Sequence, residues 1–195
     1  MSGRHSPDEA MTECTKLMNT TSRFSIRDAR ADERAAIQEL TLAAYAELAT
    51  IMAPTAWAAL RQALQVGLEA EGAVERIVAE QDGELVGSVL LYSPTANAYG
   101  NAVAGAGWPE LRLLAVAPAV RGQGVGTALV EECMRRAQRA GASALGLHTS
   151  ESLQPAIRMY ERMGFVRAPE GDFRPTSGAE LVMAYRLMLG DRPAS

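Results

Sequence analysis

The chain has 195 residues, 48% of them hydrophobic and 22% charged, which supplies one domain with a core and excludes a wholly disordered protein. Nineteen Lys and Arg against 23 Asp and Glu leave a formal charge of −4, so a general basic surface for nucleic acid is excluded. Two cysteines (Cys14 and Cys133) and two histidines (His5 and His148) are too few for a disulfide framework or a Cys/His zinc site, and no metal is expected. No run approaches the ~18 consecutive apolar residues of a membrane span, and the first twenty residues lack the apolar centre of a signal peptide. The expectation is a cytoplasmic protein with no membrane association.

Residues 1–22 are rich in Ser and Thr, lack apolar periodicity and read as a disordered tail, leaving 23–190 as a single domain. Phe24 to Arg27 alternates as a short strand. Asp32 is the expected N-cap of a helix carrying Ile37, Leu40, Ala44 and Leu48, and Pro54 opens a second one carrying Trp57, Leu60, Leu64 and Leu68. Arg76–Glu80 and Leu85–Tyr92 flank Asp82-Gly83, a pairing that predicts a tight hairpin. A Gly/Ala/Asn loop over 93–109 precedes a strand over 111–116, with alternation that sets Glu110, Arg112, Leu114 and Val116 on one face.

Next comes a glycine-rich turn and a helix with Val125, Leu129, Cys133 and Ala137 as its apolar stripe, while Glu131, Glu132, Arg135, Arg136 and Arg139 face outward. Gly141 ends that helix. A strand over 144–148, a helix opened by Pro155 and ended by Gly164, and strands near Phe165-Val166 and over 181–187 complete the chain. The fold class is α/β, a mixed sheet of about seven strands with four helices.

Arg121-Gly122-Gln123-Gly124-Val125-Gly126-Thr127 joins a strand to a helix. Glycines there let backbone approach a ligand, and the first helical N–H groups point outward with the helix dipole behind them, a phosphate-binding device. A P-loop needs a lysine after the glycines, and the only lysine is Lys16; a Rossmann fingerprint needs glycine where Thr127 stands. A tight turn with glycines for geometry alone is the plain alternative. The pattern R-x-x-G-x-G that remains resembles the pyrophosphate loop of acetyl-CoA-dependent N-acetyltransferases.

Downstream, Ala156-Ile157-Arg158-Met159-Tyr160-Glu161-Arg162-Met163-Gly164-Phe165 resembles the A-x-x-x-Y-E-x-x-G-F signature of the Gcn5-related N-acetyltransferase (GNAT) superfamily. The resemblance implies a twisted sheet whose central strands splay around acetyl-CoA, with no metal. It implies Leu114 and Val116 along the pantetheine arm, and Arg121, Gly122, Gln123, Gly124, Val125, Gly126 and Thr127 around the pyrophosphate. Leu153 stands where many members have an asparagine that helps hold the pantetheine, so that one polar contact is not expected here.

Acetyl transfer to an amine needs a proton acceptor for the ammonium and a donor for the leaving thiolate. The resemblance makes Tyr160 the candidate acid, against a reading as a core aromatic, and Glu110 the candidate base, against a partner for Arg112. His148 reads as a core histidine with satisfied nitrogens, Cys133 as packing, and Trp57 as core. Trp108 could instead flank a substrate pocket, as could Asp172-Phe173-Arg174-Pro175 in its loop. The expected reaction is transfer from acetyl-CoA to a small-molecule primary amine, with an acyl-CoA sensor or a peptide N-terminal acetylase as alternatives. A homodimer stays open.

Overall fold

The computed structural model describes residues 24–94, 107–175 and 180–190. The tail expected at 1–22, most of the loop at 93–109 and part of the 168–178 loop lie outside the described residues. Among the described residues, seven strands and four α-helices follow in the expected order: β1 (Ser25–Asp28), α1 (Arg34–Tyr45), α2 (Pro54–Leu68), β2 (Val74–Gln81), β3 (Glu84–Tyr92) and β4 (Glu110–Val116). They continue with α3 (Val125–Arg139), β5 (Ala144–Ser150), α4 (Gln154–Arg162), β6 (Val166–Arg167) and β7 (Val182–Met188). The strands form one sheet in the order β1-β2-β3-β4-β5-β7-β6, antiparallel except where β4 and β5 run parallel.

The hairpin forms as its sequence demands: Asp82 (φ 52°) and Gly83 (φ 85°) both adopt the left-handed conformation that a two-residue turn between twisted strands requires. The first helix begins differently from expectation. Asp32 lies inside a 3-10 turn (Ala31–Glu33), and the cap is supplied by Glu33, whose Oε2 accepts the Arg30 N–H at 2.6 Å. That bond caps the 3-10 turn, and the Glu33 side chain makes no cap bond to the first amides of α1.

The helical stripes decide the layering. Val125, Leu129, Cys133 and Ala137 of α3 are all 0–1% exposed and pack with Ile157 and Tyr160 of α4 onto one sheet face. Each such side chain contributes about 1.5–3 kcal/mol by leaving water. Ile37 of α1 and Leu68 of α2 cover Val78 on the other face in a smaller cluster. Two residues expected to face outward from α3 do not. Arg136 bonds Glu132 on its own helix, Asp28 on β1 and Glu75 on β2, so the pair crosses from helix to sheet.

The centre of the sheet departs from regular pairing. Ser88 pairs with Ala115 but Leu90 with Arg112, so β4 holds one residue more than β3 over that interval, and Leu113 takes φ 53°. This bulge corrects the expected alternation. Leu111 and Val116, an odd and an even position, both join the cluster under α3, so Val116 does not share a face with Glu110 and Arg112. The parallel ladder of β4 and β5 joins only Glu110 to Gly146 and Leu111 to Leu147, and beyond Leu111 the two strands part.

Candidate active site

The parting of β4 and β5 opens a cavity of about 760 Å³ that reaches from the end of α1 to the start of α3 and to α4. Of the residues expected around a cofactor, Leu114, Val116, Arg121, Gly122, Gly124, Val125, Gly126 and Thr127 line it; Gln123 does not. Of the two expected catalytic residues, Tyr160 lines it and Glu110 does not.

The glycine turn has the geometry of an anion cradle. Gly122 (φ 76°) and Gly124 (φ 88°) are left-handed, and a Cβ on either would meet nothing within 4 Å, so the backbone is open to a ligand. Gly124 is the N-cap of α3 and no side chain caps it, which leaves the N–H groups of Val125, Gly126 and Thr127 directed at the cavity end with the dipole of a 15-residue helix behind them. The Gln123 N–H instead donates to Val120 O at 3.4 Å, consistent with its side chain standing outside the lining. Arg121 was expected to add charge to the cradle. Its guanidinium donates to Glu47 Oε2 (2.6 Å) and Ala44 O (2.8 Å), tying the turn to the end of α1.

Beyond the turn, apolar side chains such as Leu114, Leu153 and Met159 share the wall with Arg112, His148, Ser152 and Arg162. Leu153, the departure from the family pattern, lines the cavity, as does Thr149. Thr149 is 6% exposed and its Oγ1 has no hydrogen-bond partner in the structure, an orphan that a buried hydroxyl tolerates only at a cost of about 1–3 kcal/mol unless a ligand meets it. An open amide cradle at one end and an unpaired hydroxyl elsewhere in the same cleft fit a diphosphate joined to an amide-bearing arm. Acetyl-CoA has that form.

Tyr160 is 5% exposed where α4 meets the cavity, held edge-on by Phe165 at 5.8 Å between centroids. Burial pushes its phenol well above the usual tyrosine range, with Tyr45 and Cys133 adding to the effect. Tyr45, which no motif marks, also lines the cavity and donates its hydroxyl to Leu114 O at 3.2 Å. Burial pushes its pKa up to about 12, so both phenols keep their protons at neutral pH.

Glu110 and His148 form a pair across the short β4–β5 ladder. His148 Nδ1 lies 3.0 Å from Glu110 Oε1, and His148 Nε2 lies 3.0 Å from Gly171 O. The nitrogens are satisfied, as expected for a core histidine, yet His148 lines the cavity. Arg112 stands 3.9 Å from the same carboxylate oxygen and 5.2 Å over the Tyr92 ring. Phe173 packs edge-on against His148 at 5.4 Å, and Asp172 is bound by Arg167 at 2.8 Å. Neither tryptophan faces the cavity: Trp108 lies over Gly146, with Arg186 5.3 Å above its ring, and Trp57 is half-buried on α2.

Comparison with known proteins agrees with this architecture. The chain is 38% identical over 96 residues to a mycothiol acetyltransferase of Nocardia farcinica, covering 42% of this chain and 28% of that protein. It is 32% identical over 100 residues to an IAA acetyltransferase of Azospirillum brasilense, covering 51% and 60%. The matched stretches thus span less than two thirds of either relative. A GNAT family acetyltransferase from Brucella melitensis, solved in complex with acetyl-CoA, superposes with a TM-score of 0.55 at 24% identity over 88% of this chain and 92% of that one. Residues 35–165, from α1 through Phe165, match the Acetyltransferase (GNAT) family, and they contain the parted strands, the glycine turn and Tyr160. The chain belongs to the GNAT family.

Proposed function

We propose that the protein is an N-acetyltransferase that moves the acetyl group of acetyl-CoA to a primary amine of a small molecule by direct attack. The observation that carries this reading is the single cleft that joins the amide cradle at Gly124–Thr127 to the buried phenol of Tyr160. Relatives named for acetyl transfer are consistent with it.

Acetyl-CoA supplies a thioester that is already reactive, so the protein's part is to hold, orient and move protons. The N–H groups of Val125, Gly126 and Thr127 bind the diphosphate, and Leu114 and Val116 flank the arm. Thr149 Oγ1 gives the arm a polar partner in a wall where Leu153 offers none. Backbone near Val116 polarises the thioester carbonyl. Tyr160 gives its proton to the departing thiolate. The same desolvation that raises the phenol raises the thiol formed beside it, so the match between donor and acceptor survives burial. Glu110 does not line the cavity, so its part in taking the proton of the incoming ammonium is played through a water or a neighbouring group.

The test is a screen of primary amines, amino acids and peptides with acetyl-CoA, read as release of free CoA. Turnover with small amines supports the reading. Turnover with peptides alone replaces the acceptor class, and acetyl-CoA binding without turnover for any acceptor makes the protein a binding module.

A further inference from the structure

We propose that His148 and Glu110 take up the proton of the acceptor as one unit, with His148 at the cavity wall and Glu110 as the residue that positions it. The proposal rests on the acetyltransferase reading above.

A carbonyl oxygen can only accept, so His148 Nε2, 3.0 Å from Gly171 O, carries a hydrogen. His148 Nδ1 then faces Glu110 Oε1, also at 3.0 Å. Two states are possible for that contact. In one, a single proton lies between nitrogen and oxygen, as imidazolium with carboxylate or as imidazole with carboxylic acid. In the other, a nitrogen lone pair faces a charged oxygen, with side chains only 9% and 17% exposed and little water to screen the repulsion. The second state is a proton acceptor built by geometry, and the two residues gain and lose that proton together.

Position fits the task. Glu110 does not line the cavity, whereas His148 does, so the histidine is the member of the pair that a bound amine or cavity water meets. The ring is fixed on three sides: Glu110 from β4, Gly171 from the turn after β6, and the edge of Phe173. Ionisable groups near the unit among the described residues include Arg112 beside Glu110 on β4, Tyr92 on β3, and Asp172 with its partner Arg167. Arg112 opposes proton uptake by its charge and Asp172 favours it.

The step balances simply. An N–H bond of the ammonium breaks, the proton passes by way of cavity water to the Nδ1–Oε1 contact, and the freed lone pair on nitrogen forms the new bond to the acetyl carbon as the C–S bond breaks. Tyr160 protonates the sulfur, and the proton held by the unit leaves to solvent, through which the phenol is restored.

Two measurements test it. The first needs no turnover: ¹⁵N spectra of the full chain labelled at histidine, where His5 is the only other signal, followed across pH. Glu110→Gln should move the His148 Nδ1 resonance, which reports the contact with Glu110, and leave the Nε2–H that faces Gly171 O in place; identical spectra in the two proteins overturn the shared proton. The second is the pH profile of kcat/KM for Glu110→Gln, His148→Gln and the double variant, each first shown to melt cooperatively and to gain Tm with acetyl-CoA. Each single variant should lose the ascending acidic limb and about 10²-fold in rate, and the double variant should lose no more than either single one. A His148→Gln enzyme that keeps the limb, or a double variant down by about 10⁴-fold, overturns the unit and leaves Glu110 acting alone. If His148→Gln does not fold, the spectra of wild type and Glu110→Gln decide. Failure of every acceptor to turn over defeats the acetyltransferase reading itself, an outcome distinct from turnover with an unaltered profile.

Discussion

Gly87 of β3 lies directly beneath Leu129 of α3: a Cβ on Gly87 would stand 2.9 Å from Leu129 Cδ1, 2.8 Å from Val125 Cγ1 and 3.3 Å from Ala115 O. The missing side chain is what lets α3 settle on the sheet, and α3 begins at the glycine turn. Sheet contact and ligand cradle are therefore one rigid piece. Gly87→Ala should overpack this contact and destabilise the fold by about 1–3 kcal/mol, against the usual gain from replacing a strand glycine. Urea unfolding at neutral pH measures it; unchanged or greater stability would show that α3 has room to lift.

Gly124→Glu places a side chain at φ 88° and a negative charge where the α3 amides converge. Acetyl-CoA should raise the Tm of wild type and leave that of the folded variant unmoved. An equal rise in both proteins would put the ligand elsewhere.

Tyr160→Phe keeps the ring against Phe165 and removes only the hydroxyl. With a responsive acceptor, kcat should fall by about 10²-fold while acetyl-CoA affinity stays close to wild type. Because burial lifts the phenol, no descending limb from Tyr160 ionisation is expected below about pH 10. Unchanged kcat would make the residue a packing aromatic.

Glu33 gives a prediction for acid stability. Its side-chain bonds to Arg27, at 2.6 and 2.8 Å, and the Arg30 N–H hold its pKa near 2, below an ordinary value of 4.5 and against the upward push of burial. A carboxylate depressed in the folded state stabilises the protein above the unfolded value, and that contribution is lost as pH falls from about 4.5 toward 2. Glu33→Gln should therefore be less stable than wild type at pH 7, and the gap should close across this window. Urea midpoints from pH 7 to 2 test it; a constant gap would assign the loss to capping geometry alone.

Local chemistry made much of this protein legible from its sequence. Asp82-Gly83 specified its hairpin because few residues tolerate two left-handed positions in a row. The stripe from Val125 to Ala137 named the buried face of α3 because helical periodicity and burial are the same fact. The glycines at the entry to α3 marked a turn whose first helical amides are left open, since that is a property of backbone alone.

The tertiary structure decided what depends on distant segments meeting. No local pattern marks the bulge at Leu113, where a leucine takes a left-handed φ, and that one extra residue moved Val116 off the face it was expected to share with Glu110. Arg121, at the cavity wall, also reaches Glu47, 74 positions away. Tyr45 and Thr149 entered the cavity wall without any motif. His148 met Glu110 only because β4 and β5, 38 residues apart at that point, run parallel for two pairs before they part. Periodicity and backbone preference act over a few residues and can be read along the chain. Which charges, lone pairs and orphan hydroxyls face one another is set by strand order and register, and it exists only once the sheet has formed.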